Sequence, residues 1–200
     1  MSNITLNPIY EKIIDDLSNQ KYSISDFFFS TEETKQLREA IIRKENKKDF
    51  HQAAVGSSVN EQIVKSIRGD KIRWIDEENK TETEEIFFSK INDFIEYLNL
   101  TCYMGIEESE FHYAIYPEGT FYQKHVDAFK NDDRRTLSIV LYLNDEEWKD
   151  EFGGQLTLYL ADENKAEKEL DILPLAGRLA VFDSKSIPHE VKIVNRPRYS

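Results

Sequence analysis

Three residues of this chain have the types and spacing to do chemistry together: His125, Asp127 and the more distant His189. Two imidazoles and one carboxylate suit a borderline divalent metal such as non-haem iron(II). Three protein ligands also leave positions open for a co-substrate and O2. The first two sit in the alternating stretch Tyr122-Gln-Lys-His125-Val-Asp127. In a β-strand, residues two apart point to the same face, so both side chains can reach one ion. On a helix that spacing would splay them apart. Alone, the tripeptide is a weak signal. A chain with four His and 38 acidic residues yields such a pair by chance, and an exposed strand with a surface ion pair explains it equally well.

The elements that must position these residues fall into two regimes. From Pro8 to about Leu100 the pattern is mostly helical. Ile9, Ile13, Ile14 and Leu17 recur at helix spacing after a proline suited to a helix start. Ser30-Thr-Glu-Glu33 resembles a capping box opening a helix through Ile42, and Thr83 to Leu100 carries another apolar stripe. Ser23-Ile-Ser-Asp-Phe-Phe28 and Lys71 to Ile75 read as short strands. From Glu108 onward strands and turns take over. Candidates are Phe111 to Tyr116, Phe121 to Val126, Thr136 to Leu143, Gln155 to Leu160, Leu170 to Ile172, Arg178 to Phe182 and Glu190 to Val194. Turn signals such as Pro117-Glu-Gly119, Gly153-Gly154 and Pro174-Leu-Ala-Gly177 separate them. Many short strands so spaced predict a sandwich or jelly roll rather than a wound parallel sheet. The polar stretch His51 to Val64 is expected to be a mobile loop, and Asp145 to Glu151 a solvated turn-helix surface.

Composition narrows the class. A 200-residue chain with 40% hydrophobic residues supports one core, so a single domain over 1–200 is expected, with helical support at about 8–100 and a jelly-roll core at about 108–200. No stretch approaches the roughly 20 apolar residues of a membrane span. The start, Met1-Ser-Asn-Ile-Thr-Leu6, lacks the pattern of a secretory signal. A single cysteine, Cys102, excludes an intramolecular disulfide and fits a reducing compartment. A cytoplasmic location is therefore expected; the oligomeric state is not legible, with a monomer the favoured default. A net charge of −12 argues against nucleic acid as main partner. The local basic cluster Lys65, Arg68, Lys71 and Arg73 reads by itself as a solvated face.

The second half forms one connected pattern: Tyr116-Pro, His125-Val-Asp127, Arg135, Leu141-Tyr142-Leu143-Asn144, Gly153-Gly154-Gln155-Leu156, Gly177-Arg178-Leu179, Pro188-His189-Glu190-Val191 and Arg198-Tyr199. It resembles the 2-oxoglutarate- and iron(II)-dependent oxygenase superfamily, in its prolyl hydroxylase branch. The upstream string Arg68-Gly-Asp70-Lys-Ile-Arg-Trp74 is similar to one in the animal hypoxia-sensing prolyl hydroxylases and their bacterial relatives. The resemblance runs from about Phe27 to the C-terminus.

It implies a mainly β fold with flanking helices: a double-stranded β-helix, cupin-like, behind an N-terminal helical layer. It implies His125, Asp127 and His189 as iron ligands, and iron(II), 2-oxoglutarate and O2 as cofactor and co-substrates, with ascorbate in support. Arg198, nine residues after His189, matches the arginine that clasps the far carboxylate of 2-oxoglutarate. A guanidinium fork supports that match independently, because it pairs with a carboxylate through two charge-assisted hydrogen bonds. Tyr142 matches the tyrosine reaching the same carboxylate, and Tyr116 one lining the pocket. Leu156 and Val191 would form apolar walls. Arg68, Asp70, Trp74 and Arg135 are assigned to the substrate side, the first two either recognising substrate or anchoring a covering loop. Arg196 is the rival of Arg198 for the clamp. His112, on a barrel strand, either lines the cavity or, as the preferred reading, is a satisfied core histidine, and Gly153 and Gly154 are expected to open a strand with close backbone approach.

The implied activity is hydroxylation of a prolyl residue in a protein, with succinate and CO2 as co-products. The alternatives are the same chemistry on a small molecule such as a free amino acid, and a non-catalytic jelly-roll binding module. Nucleic-acid dealkylation is opposed by the acidic charge. Relatives continue past the strand of Arg198, whereas this chain ends at Ser200. Either the chain is truncated or its barrel wall is shortened, and a frayed last strand would hold Arg198 loosely, because terminal residues are poorly ordered unless tied down.

Overall fold

The computed structural model describes residues 5–54, 66–127, 135–161 and 166–200. Three helices, α1 (Pro8–Gln20), α2 (Thr31–Asn46) and α3 (Glu82–Cys102), stand against a β-structure of short strands. In chain order these are β1 (Tyr22–Ser25), β2 (His51–Gln52), β3 (Lys71–Trp74), β4 (His112–Tyr116), β5 (Tyr122–His125), β6 (Leu137–Leu141), β7 (Leu156–Ala161), β8 (Glu167–Ile172), β9 (Leu179–Asp183), β10 (His189–Val191) and β11 (Arg198–Tyr199).

The helix starts are set by side-chain caps. Asn7 accepts from the Ile9 N–H ahead of Pro8, and Ser30 and Thr81 each form a reciprocal capping box, with Glu33 and Glu84. Each box satisfies two backbone donors that a helix start leaves orphaned. α3 thus begins slightly earlier than its apolar stripe predicts, at the cap rather than at the first apolar residue.

All strand pairs are antiparallel, in the orders β1-β9-β6, β5-β10-β7-β8 and β11-β4-β3-β2. The Leu143 N–H donates to the Tyr199 carbonyl, joining the end of β6 to β11 and so the first order to the third. The resulting broad sheet faces β5-β10-β7-β8, which gives the predicted jelly roll.

Period-two alternation divides the broad sheet's side chains between two cores. Tyr113, Ile115, Leu179 and Val181 pack with Ile13, Leu37, Ile41, Ile91, Phe94 and Leu98 of the helices. Ala114, Tyr116, Ala180 and Phe182 point the other way, to Leu156, Leu158, Ile172 and Val191 of the facing sheet. Each buried aliphatic or aromatic side chain contributes about 1.5–3 kcal/mol relative to exposure, enough to fix strand register.

Two expectations fail here. His51 and Gln52, expected in a loop, form β2 and pair with Ile72 and Lys71; residues 55–64 of that expected loop lie outside the described residues. The last strand is not frayed. Ser200 and Ala114 exchange both backbone hydrogen bonds, at 3.0 and 2.8 Å, and the Tyr199 N–H donates to Asn144 Oδ1 at 2.7 Å. Pairing on both sides ties down what a chain end would otherwise release.

Candidate metal and co-substrate site

β5 and β10 are neighbours, and their register sets His189 directly opposite His125. Asp127 follows β5 two residues later. One potential ligand atom from each of His125, Asp127 and His189 lies within 4.8 Å of the others. Nε2 of His125 is 3.4 Å, and Nε2 of His189 3.5 Å, from the same oxygen, Oδ1 of Asp127.

The opposite edges of both rings are held by main-chain carbonyls. Nδ1 of His125 lies 2.7 Å from the Gln123 carbonyl, and Nδ1 of His189 3.1 Å from that of Ile187. A carbonyl can only accept, so Nδ1 carries the proton and Nε2 is left with a lone pair aimed at the common centre. The carboxylate is divided in the same way. Ser138 donates to Oδ2 of Asp127 at 2.5 Å and contacts Ser184 Oγ at 2.7 Å, which leaves Oδ1 for the centre. Burial works to raise the Asp127 carboxyl, but the neighbouring imidazoles and the Ser138 hydroxyl outweigh it and hold the group well below the usual carboxylate range. The three side chains can hold a divalent ion with one ligand atom each.

Deeper in the barrel, β11 pairs with β4 so that Arg198 stands opposite Tyr116. Its guanidinium carbon lies 4.9 Å from the Tyr116 ring and 5.0 Å from the Tyr142 ring. Arg198 is only 2% exposed. It donates from Nη1 to Ser200 Oγ over a long 3.5 Å, while its Nε and the Tyr142 hydroxyl are buried with no hydrogen-bond partner among the described residues. Burial raises the Tyr142 phenol, with Arg198 pulling the other way, so it remains a neutral O–H donor. A buried cation and a buried donor without an acceptor are costly, and a carboxylate would answer both. The donor set therefore fits a dicarboxylate co-substrate as well as the triad fits iron. Leu156 and Val191, paired across β7 and β10, line the same interior as buried apolar side chains.

The glycine pair makes the room. A Cβ on Gly153 (φ +65°) would fall 2.1 Å from the Ile193 carbonyl oxygen, and one on Gly154 (φ +70°) would fall 2.9 Å from Cδ of Arg198. Only glycine allows both the left-handed backbone and this approach.

The rival Arg196 lies elsewhere. It pairs with Asp145 at 2.6 Å and covers the rings of Trp148 and Phe152. Among the residues expected on the substrate side, Arg68 makes a bidentate pair with fully buried Asp70, at 2.7 and 2.6 Å. Arg135 is exposed and 3.6 Å from Glu110. Trp74 is 47% exposed and meets His112 edge-on at 4.9 Å. His112 is thus not a core histidine. It opens β4, and unlike the four residues that follow it on the strand it is exposed.

Sequence reasoning missed Ser138, Ser184 and Tyr122. No spacing marks the two serines, which lie on different parts of the chain from Asp127. Tyr122 carries one retrospective signal, its place in the motif strand three residues before His125.

Residues 111–200 match the family model of the 2OG-Fe(II) oxygenase superfamily. A prolyl-4-hydroxylase structure from Pseudomonas putida is 34% identical and superposes with a TM-score of 0.85, covering 96% of this chain and 95% of that one. The chain belongs to the 2OG-Fe(II) oxygenase superfamily. Within it, the prolyl hydroxylase branch recurs among the relatives. A prolyl hydroxylase from Trichoplax adhaerens, in complex with a hypoxia inducible factor oxygen degradation domain peptide fragment, is 28% identical with a TM-score of 0.82, covering 96% of this chain and 86% of that one. Egl nine homolog 1 of Homo sapiens is 31% identical over 195 residues, 95% of this chain and 45% of its own length. The chain spans about half the length of the curated relatives it matches. Among the described residues of this oxygenase, no helix is long and apolar enough to cross a membrane.

Proposed function

We propose that this chain is a 2-oxoglutarate- and iron(II)-dependent dioxygenase that hydroxylates a prolyl residue in a protein substrate. The observation that carries the reading is the pairing of two sites in one barrel. One is a triad converging on a single carboxylate oxygen; the other is buried Arg198 and Tyr142, whose Nε and hydroxyl have no hydrogen-bond partner among the described residues. A likeness to prolyl hydroxylases at about one-third identity over nearly the whole chain supports the choice of substrate class.

In this reading His125 and His189 hold iron through Nε2 and Asp127 through Oδ1. Bound together, iron(II), 2-oxoglutarate and O2 supply the oxidising chemistry, with succinate and CO2 as co-products. The chain's own residues bind, orient and exclude water. Arg198 clasps the far carboxylate of 2-oxoglutarate in a charge-assisted fork, and Tyr142 donates its hydroxyl to the same group. Leu156 and Val191 keep the co-substrate in an apolar slot, and Tyr116 walls it from the β4 side. Exposed Trp74 at the rim offers a flat apolar surface to an incoming proline. Ascorbate in support and a cytoplasmic location belong to the same proposal, resting on the resemblance and on cysteine content.

The test is coupled turnover. Protein prepared anaerobically with iron(II) and 2-oxoglutarate is expected to show the weak visible absorption of that complex, and on adding O2 and host proteins to release succinate. His125→Ala and Asp127→Ala are expected to abolish both signals. Wild-type turnover in either variant would remove the metal assignment.

A further inference from the structure

We propose that Tyr122 and Arg68 are positioning residues for His125, forming with it a column of guanidinium, phenol ring and imidazole that orients the imidazole for metal binding. The inference rests on the reading of His125 as an iron ligand and adds what holds that ligand in place.

The two histidines of the triad are supported differently. His189 is 5% exposed, with the Phe182 ring against it at 4.7 Å, so core packing leaves it little freedom. The His125 side chain is 19% exposed and stands at the open side of the site. Its Nδ1 bond to Gln123 fixes one edge of the ring but leaves the plane free to rock about that bond. The Tyr122 ring removes this freedom. It lies face to face with the imidazole, with centroids 3.6 Å apart and planes 18° from parallel. An edge bond and a face contact together leave Nε2 one direction, toward Asp127.

Tyr122 is in turn fixed from its other face. The Arg68 guanidinium carbon sits 4.2 Å from the Tyr122 centroid, an attractive cation–π geometry. Arg68 is itself immobile: Asp70 takes Nε and Nη2, and Nη1 reaches the Ala54 carbonyl at 3.3 Å. The backbones are bound as well. Gly69 N–H donates to the Phe121 carbonyl at 2.9 Å and Gln123 N–H to the Ile67 carbonyl at 2.8 Å, bracketing an Arg68–Tyr122 bridge. The column therefore links buried Asp70 to His125 through three contacts, none of them between members of the triad. An imidazole donating to a dication becomes electron-poor, and the phenol's electron-rich face suits that state better than an aliphatic side chain would.

The experiment is anaerobic titration calorimetry of manganese(II), an inert stand-in for iron(II), into chelator-treated protein. It compares wild type, Tyr122→Leu, Tyr122→Phe, Arg68→Gln and His125→Ala. Tyr122→Leu is expected to weaken manganese binding on the order of tenfold, Arg68→Gln about threefold, and Tyr122→Phe, which keeps the stacked ring, less than about twofold. Wild-type affinity in Tyr122→Leu overturns the inference. An equal loss in Tyr122→Phe also overturns it, because the effect would then lie in the hydroxyl. If circular dichroism shows Tyr122→Leu unfolded, Arg68→Gln decides, and unchanged affinity there overturns the column. Failure of the underlying metal reading looks different: His125→Ala would then bind manganese as wild type does.

Discussion

His125 and His189 occupy directly opposed positions across the β5–β10 pair, with ring centroids 4.3 Å apart. Sixty-odd residues of chain separate them, and one register brings them together. A slip by one residue would turn one ring out of the barrel, because alternate residues face opposite sides. The site is therefore as well defined as the strand pairing beneath it.

Ser138 fixes which oxygen of Asp127 faces the centre, and Ser138→Ala is expected to release it. Metal affinity should fall on the order of tenfold, as is usual when the partner of a ligand is removed. The fold should survive, since the change deletes one hydroxyl. Anaerobic metal titration beside a thermal melt separates the two effects.

Arg198 and Arg196 are expected to part company. Arg198→Gln removes a charge-assisted fork worth about 2 kcal/mol, so the apparent requirement for 2-oxoglutarate should rise on the order of thirtyfold. Arg196→Gln frees Asp145 and two aromatic rings, and should lower the melting temperature with the 2-oxoglutarate requirement unchanged. Measuring succinate release against 2-oxoglutarate concentration checks both. The reverse order would move the clamp to Arg196.

How far these residues were legible follows from where their information lies. The triad was legible only with the resemblance: strand alternation suggested His125 and Asp127 as one weak pair, and Asp127 in fact lies two residues past the end of β5. Arg198 followed from its distance to His189 once the resemblance was in hand. The alternating cores were visible as apolar periodicity, and the helix caps as Ser30 and Glu33. The contacts of Ser138 and Tyr122 were not visible, since they depend on which strand lies next to which. His112 was misread for a related reason: alternation gives the face of a residue but not its depth, and His112 is the exposed first residue of β4. β2 escaped because a two-residue polar strand has no pattern of its own. The firmness of β11 lay in its partners, Ala114, Leu143 and Asn144, and not in its position at the chain end.

Glu84 offers a pH test of the helical layer. Its carboxylate is 2% exposed, closes the Thr81 capping box at 2.8 Å and lies 3.1 Å from the Lys44 ammonium. Burial raises its pKa, but the Thr81 and Lys44 contacts outweigh that and hold it below the ordinary value. A depressed carboxyl stabilises the fold above its unfolded pKa, and that contribution is lost as pH falls through the folded value. Glu84→Gln is expected to cost about 2 kcal/mol at pH ~7, with the gap to wild type narrowing once pH drops below about 4. Denaturant melts at the two pH values measure it; a gap independent of pH would contradict the ion-pair account.

The central claim is that this triad, with Arg198 and Tyr142, serves hydroxylation of a protein-borne proline. Mass spectrometry of host proteins incubated with iron(II), 2-oxoglutarate and O2 tests it most directly, with Asp127→Ala as control. A prolyl residue should gain the mass of one oxygen in step with succinate release, and only with the wild-type chain. Succinate formed while no prolyl residue gains oxygen, or the same gain with Asp127→Ala, would contradict it.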